Sequence, residues 1–361
     1  MPSEKVMVGM SGGVDSSAAA LLLQDAGFDC LGVTLRLYTD DVLDRSERHT
    51  CCSFDDMDDA RAAAYRLGIS HYVFTATDLF EETVIRSFVE TYEAGGTPNP
   101  CIECNRNLKF SYMYERAKEL GCRYIATGHY ARIEQREDGR WLLKKGEDSG
   151  KDQSYVLYML SQELLAHIKL PLGSMKKTEV RELAERRGLL NARKHDSQDI
   201  CFVPDGDYEG FIRRYTGRDY PPGNFVDESG RVLGRHRGMI AYTIGQRRGL
   251  GVSGGKPLYV CKKRMEDNTV VLSGNDRLFS DTLYATGINL IDRDRITGTV
   301  RCGAKIRYSH HEALCTVEQT GDDELRVVFD EKQRAITAGQ AVVLYDDDIV
   351  IGGGTIVGTE V

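Results

Sequence analysis

Ser11-Gly12-Gly13-Val14-Asp15-Ser16-Ser17 stands between two runs of different periodicity, and that context decides the fold. Before it, Val6-Met7-Val8-Gly9-Met10 reads as a short buried strand. After it, Ala18-Ala19-Ala20-Leu21-Leu22-Leu23 opens a helix that Gly27 can stop. The stretch therefore lies at a helix N-terminus, where the first backbone N–H groups lack intrahelical partners and the helix dipole is positive. An anion is welcome there. Gly12 and Gly13 let the backbone approach it, and the hydroxyls of Ser11, Ser16 and Ser17 add donors. A bland alternative is a Gly/Ser-rich turn that merely links strand to helix. The common nucleotide phosphate loop requires Gly-Lys followed by Ser or Thr, and this chain has none; Gly255-Lys256 is followed by Pro257.

Outward from this loop, residues 1–205 alternate strand-like and helix-like segments, the pattern of an α/β doubly wound parallel sheet. Strands are expected over 30–38, 71–74 and 124–127. The last delivers Gly128-His129-Tyr130 at its carboxyl end, where open α/β sheets bind ligands. Amphipathic helices are expected over 55–67, 107–120 and 177–187. Past Pro204, Pro and Gly punctuation increases, so residues 206–275 read as a small connecting domain. From 276 to 361, short β-rich runs such as Thr299-Val300-Arg301-Cys302 and Ala341-Val342-Val343-Leu344-Tyr345 alternate with turns, which favours a small antiparallel β-barrel.

The chain has 361 residues, 41% of them hydrophobic, enough for two or three domains with sizeable cores. Apolar runs such as 18–23 stop far short of the roughly 20 residues of a membrane span. Met1-Pro2-Ser3-Glu4-Lys5 runs straight into the first strand and leaves no room for a signal peptide, so a cytoplasmic location without membrane partners is expected. Ten cysteines in such a compartment do not form a structural disulfide framework. The formal charge of −8 argues against nucleic-acid binding over the whole surface, yet residues 211–265 carry twelve Lys/Arg against three acidic residues. Tyr215, Tyr220, Phe225, Tyr242 and Tyr259 interleave with this stripe, which suits a phosphate backbone or, equally on composition, a solvated basic face.

Cys101-Ile102-Glu103-Cys104 follows two prolines and precedes a predicted helix. A thiol at a helix N-terminus holds more thiolate, and Cys104, nearer the predicted helix, gains most. The structural alternative is half of a zinc site, completed by Cys51 and Cys52. Cys201, flanked by Ile200 and Phe202, ordinarily reads as a core residue.

Three motifs carry a family resemblance. Ser11 to Ser17 resembles the PP-loop of ATP pyrophosphatases, which cleave ATP between the α- and β-phosphates and adenylate a substrate oxygen. Thr97-Pro98-Asn99-Pro100 with Cys104-Asn105, and Ser197-Gln198-Asp199-Ile200-Cys201-Phe202, extend the match. So do Thr127-Gly128-His129-Tyr130, Lys151-Asp152-Gln153-Ser154-Tyr155, Tyr242-Thr243-Ile244-Gly245-Gln246-Arg247, Arg307-Tyr308 and Gly339-Gln340. Over essentially its whole length, and by the order and number of these motifs, the chain resembles the tRNA-specific 2-thiouridylase family.

The resemblance implies that ATP, with Mg2+, adenylates the 2-carbonyl oxygen of the wobble uridine, position 34 of the anticodon, and that sulfur then displaces AMP. It implies ATP contacts at Gly9, Met10, Ser11, Gly12, Gly13, Val14, Asp15, Ser16, Leu35 and Gly128. It makes Cys201 the persulfide carrier and Cys104 the nucleophile that releases sulfur by forming a disulfide with Cys201. Asn99, Pro100 and Cys101 would line the target-base pocket, which the base enters by leaving the anticodon stack. His129, Lys151, Asp152, Gln153, Arg307, Tyr308 and Gln340 would touch tRNA, with the tRNAs for Lys, Glu and Gln as substrates. A persulfide-donating carrier or cysteine desulfurase would supply sulfur. Many family members have Asp where this chain has Cys101; three thiolates at Cys101, Cys104 and Cys201 would instead suit an iron-sulfur cluster with one open iron. Two rival readings are a PP-loop amide-forming ligase, which needs neither the cysteine pair nor the basic stripe, and an RNA-binding protein with a dead site, which would not need Asp15 or Cys104.

Overall fold

The computed structural model describes residues 3–38, 54–189, 191–194, 200–252 and 255–359. They divide into two compact units: Met1–Val84 with Pro100–Gly206 and Asp348–Ile351, and Ile85–Asn99 with Asp207–Asp347 and Gly352–Val361. Cys51, Cys52 and Asp196 to Asp199 lie outside the described residues, and with them the second half of the zinc reading.

The first unit is built on β1 (Lys5–Gly9), α1 (Val14–Asp25), β2 (Asp29–Arg36), α2 (Phe54–Leu67), β3 (Ser70–Thr75), β4 (Tyr124–Ala126), the hairpin β5 (Ala131–Gln135) and β6 (Trp141–Lys145), and β7 (Ile168–Lys169). The parallel sheet runs in the order β3-β2-β1-β4-β7. Val6, Met7 and Val8 of β1 are fully buried, which is why an apolar run with no alternation becomes the central strand. From β1 the chain first winds toward β2 and β3, and later returns on the other side as β4. The loop after β1 therefore opens at the switch point of the sheet, where a crevice forms between diverging connections. One layer of core joins β1 to both α1 and α2 through Val6, Val8, Met10, Ala20, Ala60 and Ala64.

The helix expected over 107–120 begins earlier. Helical backbone runs from Pro100 to Glu119, with a widened π-helical stretch over Asn105–Tyr112. Pro100 takes the first helical position, where its missing N–H costs nothing, so the two prolines mark a helix start and not an extended loop. Cys101 thus falls in the first turn and Cys104 beyond it, which corrects the expectation that Cys104 gains most from the helix end; that field fades within one turn.

The second unit holds a four-stranded sheet of β8 (Gly223–Val226), β9 (Val232–His236), β10 (Tyr259–Arg264) and β11 (Thr269–Ser273), in the order β10-β11-β8-β9. Its core is Phe225, Met239, Tyr242, Leu250, Val260, Val270 and Leu272. Two of the aromatics read as interleaving with the basic stripe, Phe225 and Tyr242, are therefore packed inside, edge to face at 5.1 Å, and offer no ring to a base. The unit also holds β12 (Phe279–Leu290), β13 (Thr299–Lys305), β14 (Ala313–Gly321), β15 (Glu324–Arg334), β16 (Ala341–Asp346) and, from Gly352 on, β17 (Ile349–Thr359). They follow the order β12-β15-β14-β13-β16-β17, and β17 pairs back to β12, closing a six-stranded antiparallel barrel. Closure removes the free edges that short strands would otherwise expose. Among the described residues no helix is long and apolar enough to cross a membrane.

Candidate active site

The phosphate loop is held by bonds that only its own residue types can make. Gly12 has φ +75°, and a Cβ there would lie 2.3 Å from the Asp56 carbonyl oxygen, so the loop closes on α2 only with glycine. The Ser11 backbone N–H donates to Ser16 Oγ at 3.1 Å, while the Ser16 and Ser17 hydroxyls donate to the Gly13 carbonyl at 3.0 and 3.2 Å. Gly13 is the N-cap of α1 and no side chain caps that end, which leaves the helix terminus for a ligand's oxygens. The backbone N–H groups at this uncapped terminus fit a pyrophosphate.

Behind the loop, Met10 N–H donates to the Val33 carbonyl at 2.7 Å, and Thr34 Oγ1 donates to the Met10 carbonyl at 2.6 Å. This pins the end of β1 to β2, the strand that carries Leu35. Gly128, on the other flank, packs so closely that a Cβ would sit 2.7 Å from the Asp15 carbonyl carbon. The ATP residues expected from sequence thus share one place, at the carboxyl ends of β1, β2 and β4.

Asp15 has two partners that sequence reasoning missed. Lys177 Nζ donates to both carboxylate oxygens at 2.8 and 2.7 Å, and Tyr130 donates its hydroxyl at 2.8 Å. Lys177 is buried. Its backbone N–H donates to Asp148 Oδ2 at 2.9 Å, and Asp148 precedes the 151–153 segment expected to touch tRNA. Within that segment Gln153 accepts the Tyr130 backbone N–H at 3.0 Å and returns its own to the Tyr130 carbonyl at 2.9 Å. Asp152 accepts from the Gly146 and Ser154 backbones and from the Ser154 hydroxyl. Lys151 N–H donates to the Asp148 carbonyl. So 151–153 is bonded into the shell around Asp15, a link that no local pattern announces, since Lys177 and Tyr130 lie 162 and 115 residues from it.

His129 is buried between Thr127, whose hydroxyl is 2.7 Å from Nδ1, and the Phe110 ring. Burial, with the Lys109 charge second, pushes its pKa down to about 3, so the ring is neutral at physiological pH. Of the cysteines, Cys101 is exposed, Cys104 buried and Cys201 half-buried, and none is in a disulfide. Asn105, next to Cys104, is buried and donates to the Val156 carbonyl at 3.0 Å, fixing the helix that presents the thiol. Among the described residues no group of three or more His, Cys, Asp or Glu side chains is placed to hold a metal ion.

In the second unit, Gln340 Nε2 donates to the Thr97 and Pro98 carbonyls at 3.0 and 3.1 Å and so steadies the chain leading to Asn99. Arg307 donates to the Arg334 and Ala335 carbonyls at 2.9 and 2.7 Å, and Tyr308 beside it is exposed. In the basic stripe, Arg218 pairs with Glu93, Arg231 with Asp227 and Arg237 with Glu209, while Arg214, Arg235, Arg247, Arg248, Lys256 and Lys262 are exposed.

Three family models cover the chain: a tRNA methyl transferase HUP domain over residues 4–205, a tRNA methyl transferase PRC-barrel domain over 209–274 and an aminomethyltransferase beta-barrel domain over 280–356. Among curated proteins the chain is 48% identical over 355 residues to the tRNA-specific 2-thiouridylase MnmA of Clostridioides difficile (strain 630), covering 98% of each. It is 49% identical to the tRNA-specific 2-thiouridylase MnmA of Acetivibrio thermocellus, covering 99% of this chain and 100% of that one. With the tRNA-specific 2-thiouridylase MnmA 1 of Thermoanaerobacter sp. (strain X514) it shares 50% identity over 98% of each chain. With a Gly/Ser loop ahead of α1 at the switch point of the first sheet and near-full-length identity of this order, the chain belongs to the tRNA-specific 2-thiouridylase (MnmA) family.

Proposed function

We propose that this protein is an ATP-dependent tRNA-uridine 2-sulfurtransferase acting on the wobble uridine. The observation that carries the reading is the 48–50% identity to 2-thiouridylases from one end of the chain to the other, which spans loop, cysteines and barrel together. An amide-forming ligase would share the loop alone.

The chemistry follows from what uracil lacks. Its 2-oxygen is a poor leaving group. Attack of that oxygen on the α-phosphorus of ATP releases pyrophosphate and leaves an adenylated base, from which AMP departs readily. The α1 N-terminus receives the pyrophosphate, the serines brace the loop around it, and Asp15, a hard oxygen donor, suits the magnesium ion that accompanies ATP. Lys177 and Tyr130 hold the Asp15 carboxylate in place. Gly9, Met10, Leu35 and Gly128 shape the nucleotide's seat.

A persulfide on Cys201 then attacks C2, and AMP leaves with the original oxygen. The Cys104 thiolate attacks Cys201 Sγ, which frees the thiolated base and forms a Cys104–Cys201 disulfide; an external thiol reductant must open it before the next cycle. Asn99, Pro100 and Cys101 receive the flipped base, and 151–153, His129, Arg307, Tyr308 and Gln340 support the tRNA. We assign adenylation to residues 1–205 and tRNA contact to 206–275 and 276–361. The substrates we expect are the tRNAs for Lys, Glu and Gln, with sulfur from a persulfide carrier or a cysteine desulfurase, in the cytoplasm. The persulfide route needs two thiols, those of Cys104 and Cys201, together with the sulfur donor.

Incubation with ATP, magnesium, a persulfide donor and unmodified tRNA is expected to give AMP, pyrophosphate and 2-thiouridine in equal amounts. Asp15→Asn should cut pyrophosphate release by about tenfold or more. ADP and phosphate as products would contradict the assignment of the loop.

A further inference from the structure

We propose that Asn191 is a positioning residue of the phosphate loop: its amide turns two loop peptides so that their N–H groups face the pyrophosphate. This rests on the assignment of that loop to pyrophosphate. Asn191 is buried and 6% exposed, and it lies far from the loop in sequence. Its Nδ2 donates to the Gly12 carbonyl at 3.0 Å, the Gly13 carbonyl at 3.1 Å and Ser17 Oγ at 2.8 Å. Two amide hydrogens thus serve three acceptors at the start of α1.

The orientation of this amide is forced by chemistry. Both carbonyls can only accept, so the atom facing them must be the nitrogen; the opposite flip would set an oxygen against two oxygens. Asn191 Oδ1 is buried and has no hydrogen-bond partner among the described residues, an unfavourable state kept for the sake of the donor side.

What the donors accomplish follows from peptide geometry. In a planar trans peptide the C=O and the next residue's N–H point in opposite directions. Drawing the Gly12 carbonyl toward Asn191 aims the Gly13 N–H the other way, and drawing the Gly13 carbonyl does the same for the Val14 N–H. Gly12, at φ +75°, and its glycine neighbour are the residues whose peptides turn most freely, so they are where an external clamp is needed. The same short segment is pinned a second time, by Lys194 Nζ on Asp56 at 2.6 Å and Asp59 at 2.5 Å of α2, so Asn191 is delivered to the loop on a fixed backbone.

The test is titration calorimetry of the full chain with three probes: MgATP, inorganic pyrophosphate and adenosine. Asn191→Ala should weaken pyrophosphate and MgATP by about tenfold, the factor expected for about one lost donor alignment, and leave adenosine within about twofold. Asn191→Thr, which keeps one hydroxyl donor, should fall between Ala and the wild type, and it serves if Asn191→Ala does not fold. Equal weakening of adenosine and pyrophosphate would reduce the residue to a structural role and overturn the inference, as would unchanged pyrophosphate binding. Wild-type protein that makes no 2-thiouridine from tRNA would instead defeat the functional reading, whatever the calorimetry gives.

Discussion

The ring of His129 is where one residue's environment makes a quantitative demand on the whole protein. Its folded pKa is depressed to about 3 by burial, against an ordinary value near 6.5. Above pH 6.5 the ring is neutral whether the chain is folded or not, so it contributes no pH dependence there. Between about 6.5 and 3 the unfolded chain binds a proton that the folded one refuses, and stability falls with pH by up to about 1.4 kcal/mol per unit. Urea melts at pH 7 and pH 5 should show this loss, and His129→Gln should show a shallower one; equal slopes would mean that His129 takes up its proton in the folded state. Its neighbour Tyr130 illustrates what a sequence can and cannot say. The strand end Gly128-His129-Tyr130 was legible because apolar 124–127 precedes it, but the bond from Tyr130 to Asp15 joins residues 115 apart and has no local signature. The same holds for Lys177, which reads as an ordinary first residue of an amphipathic helix, and for Asn191, which reads as a turn residue.

Elements whose pattern is local were legible; those that break a local rule were not. The strand, loop and α1 agreed at every level, from burial to turn chemistry, so the phosphate loop declared itself. The helix expected over 107–120 starts at Pro100, where Asn99-Pro100 is a good N-cap type followed by the residue favoured at the first helical position. In the barrel, Gly352, Gly353 and Gly354 lie within β17, where a Cβ on Gly352 would meet the Asn289 carbonyl oxygen at 2.2 Å. Here glycine marks close approach of two strands. The same logic gives a test at the loop. Gly12→Ala places a Cβ against Asp56 in a left-handed conformation and should cost about 1–2 kcal/mol or more, with loss of ATP binding. Gly13→Ala, at φ −83° with its nearest neighbour 3.5 Å away, should leave the melting temperature nearly unchanged. Equal destabilisation of the two would remove the geometric basis of the loop's assignment.

For the whole molecule, charge asymmetry is the property that sequence displayed and structure refined. A chain of net charge −8 concentrates its basic residues over 211–265, and the aromatics among them divide between core and surface, so the RNA reading now rests on the exposed cations. Arg247→Glu with Arg248→Glu, both exposed, should weaken tRNA binding and lower the slope of log affinity against log salt by roughly 1–2, while ATP affinity stays unchanged. Loss of both affinities would show that the stripe supports the fold instead. The central claim is that one chain adenylates a tRNA base and delivers sulfur to it through two cysteines. It is tested most directly by nucleoside chromatography of 2-thiouridine after reaction of anaerobically prepared wild-type, Cys101→Asp, Cys104→Ser and Cys201→Ser proteins, with pyrophosphate release followed alongside. The account predicts that Cys104→Ser and Cys201→Ser form no 2-thiouridine yet still release pyrophosphate, and that Cys101→Asp keeps much of the wild-type activity. Full thiolation by either serine variant would contradict it.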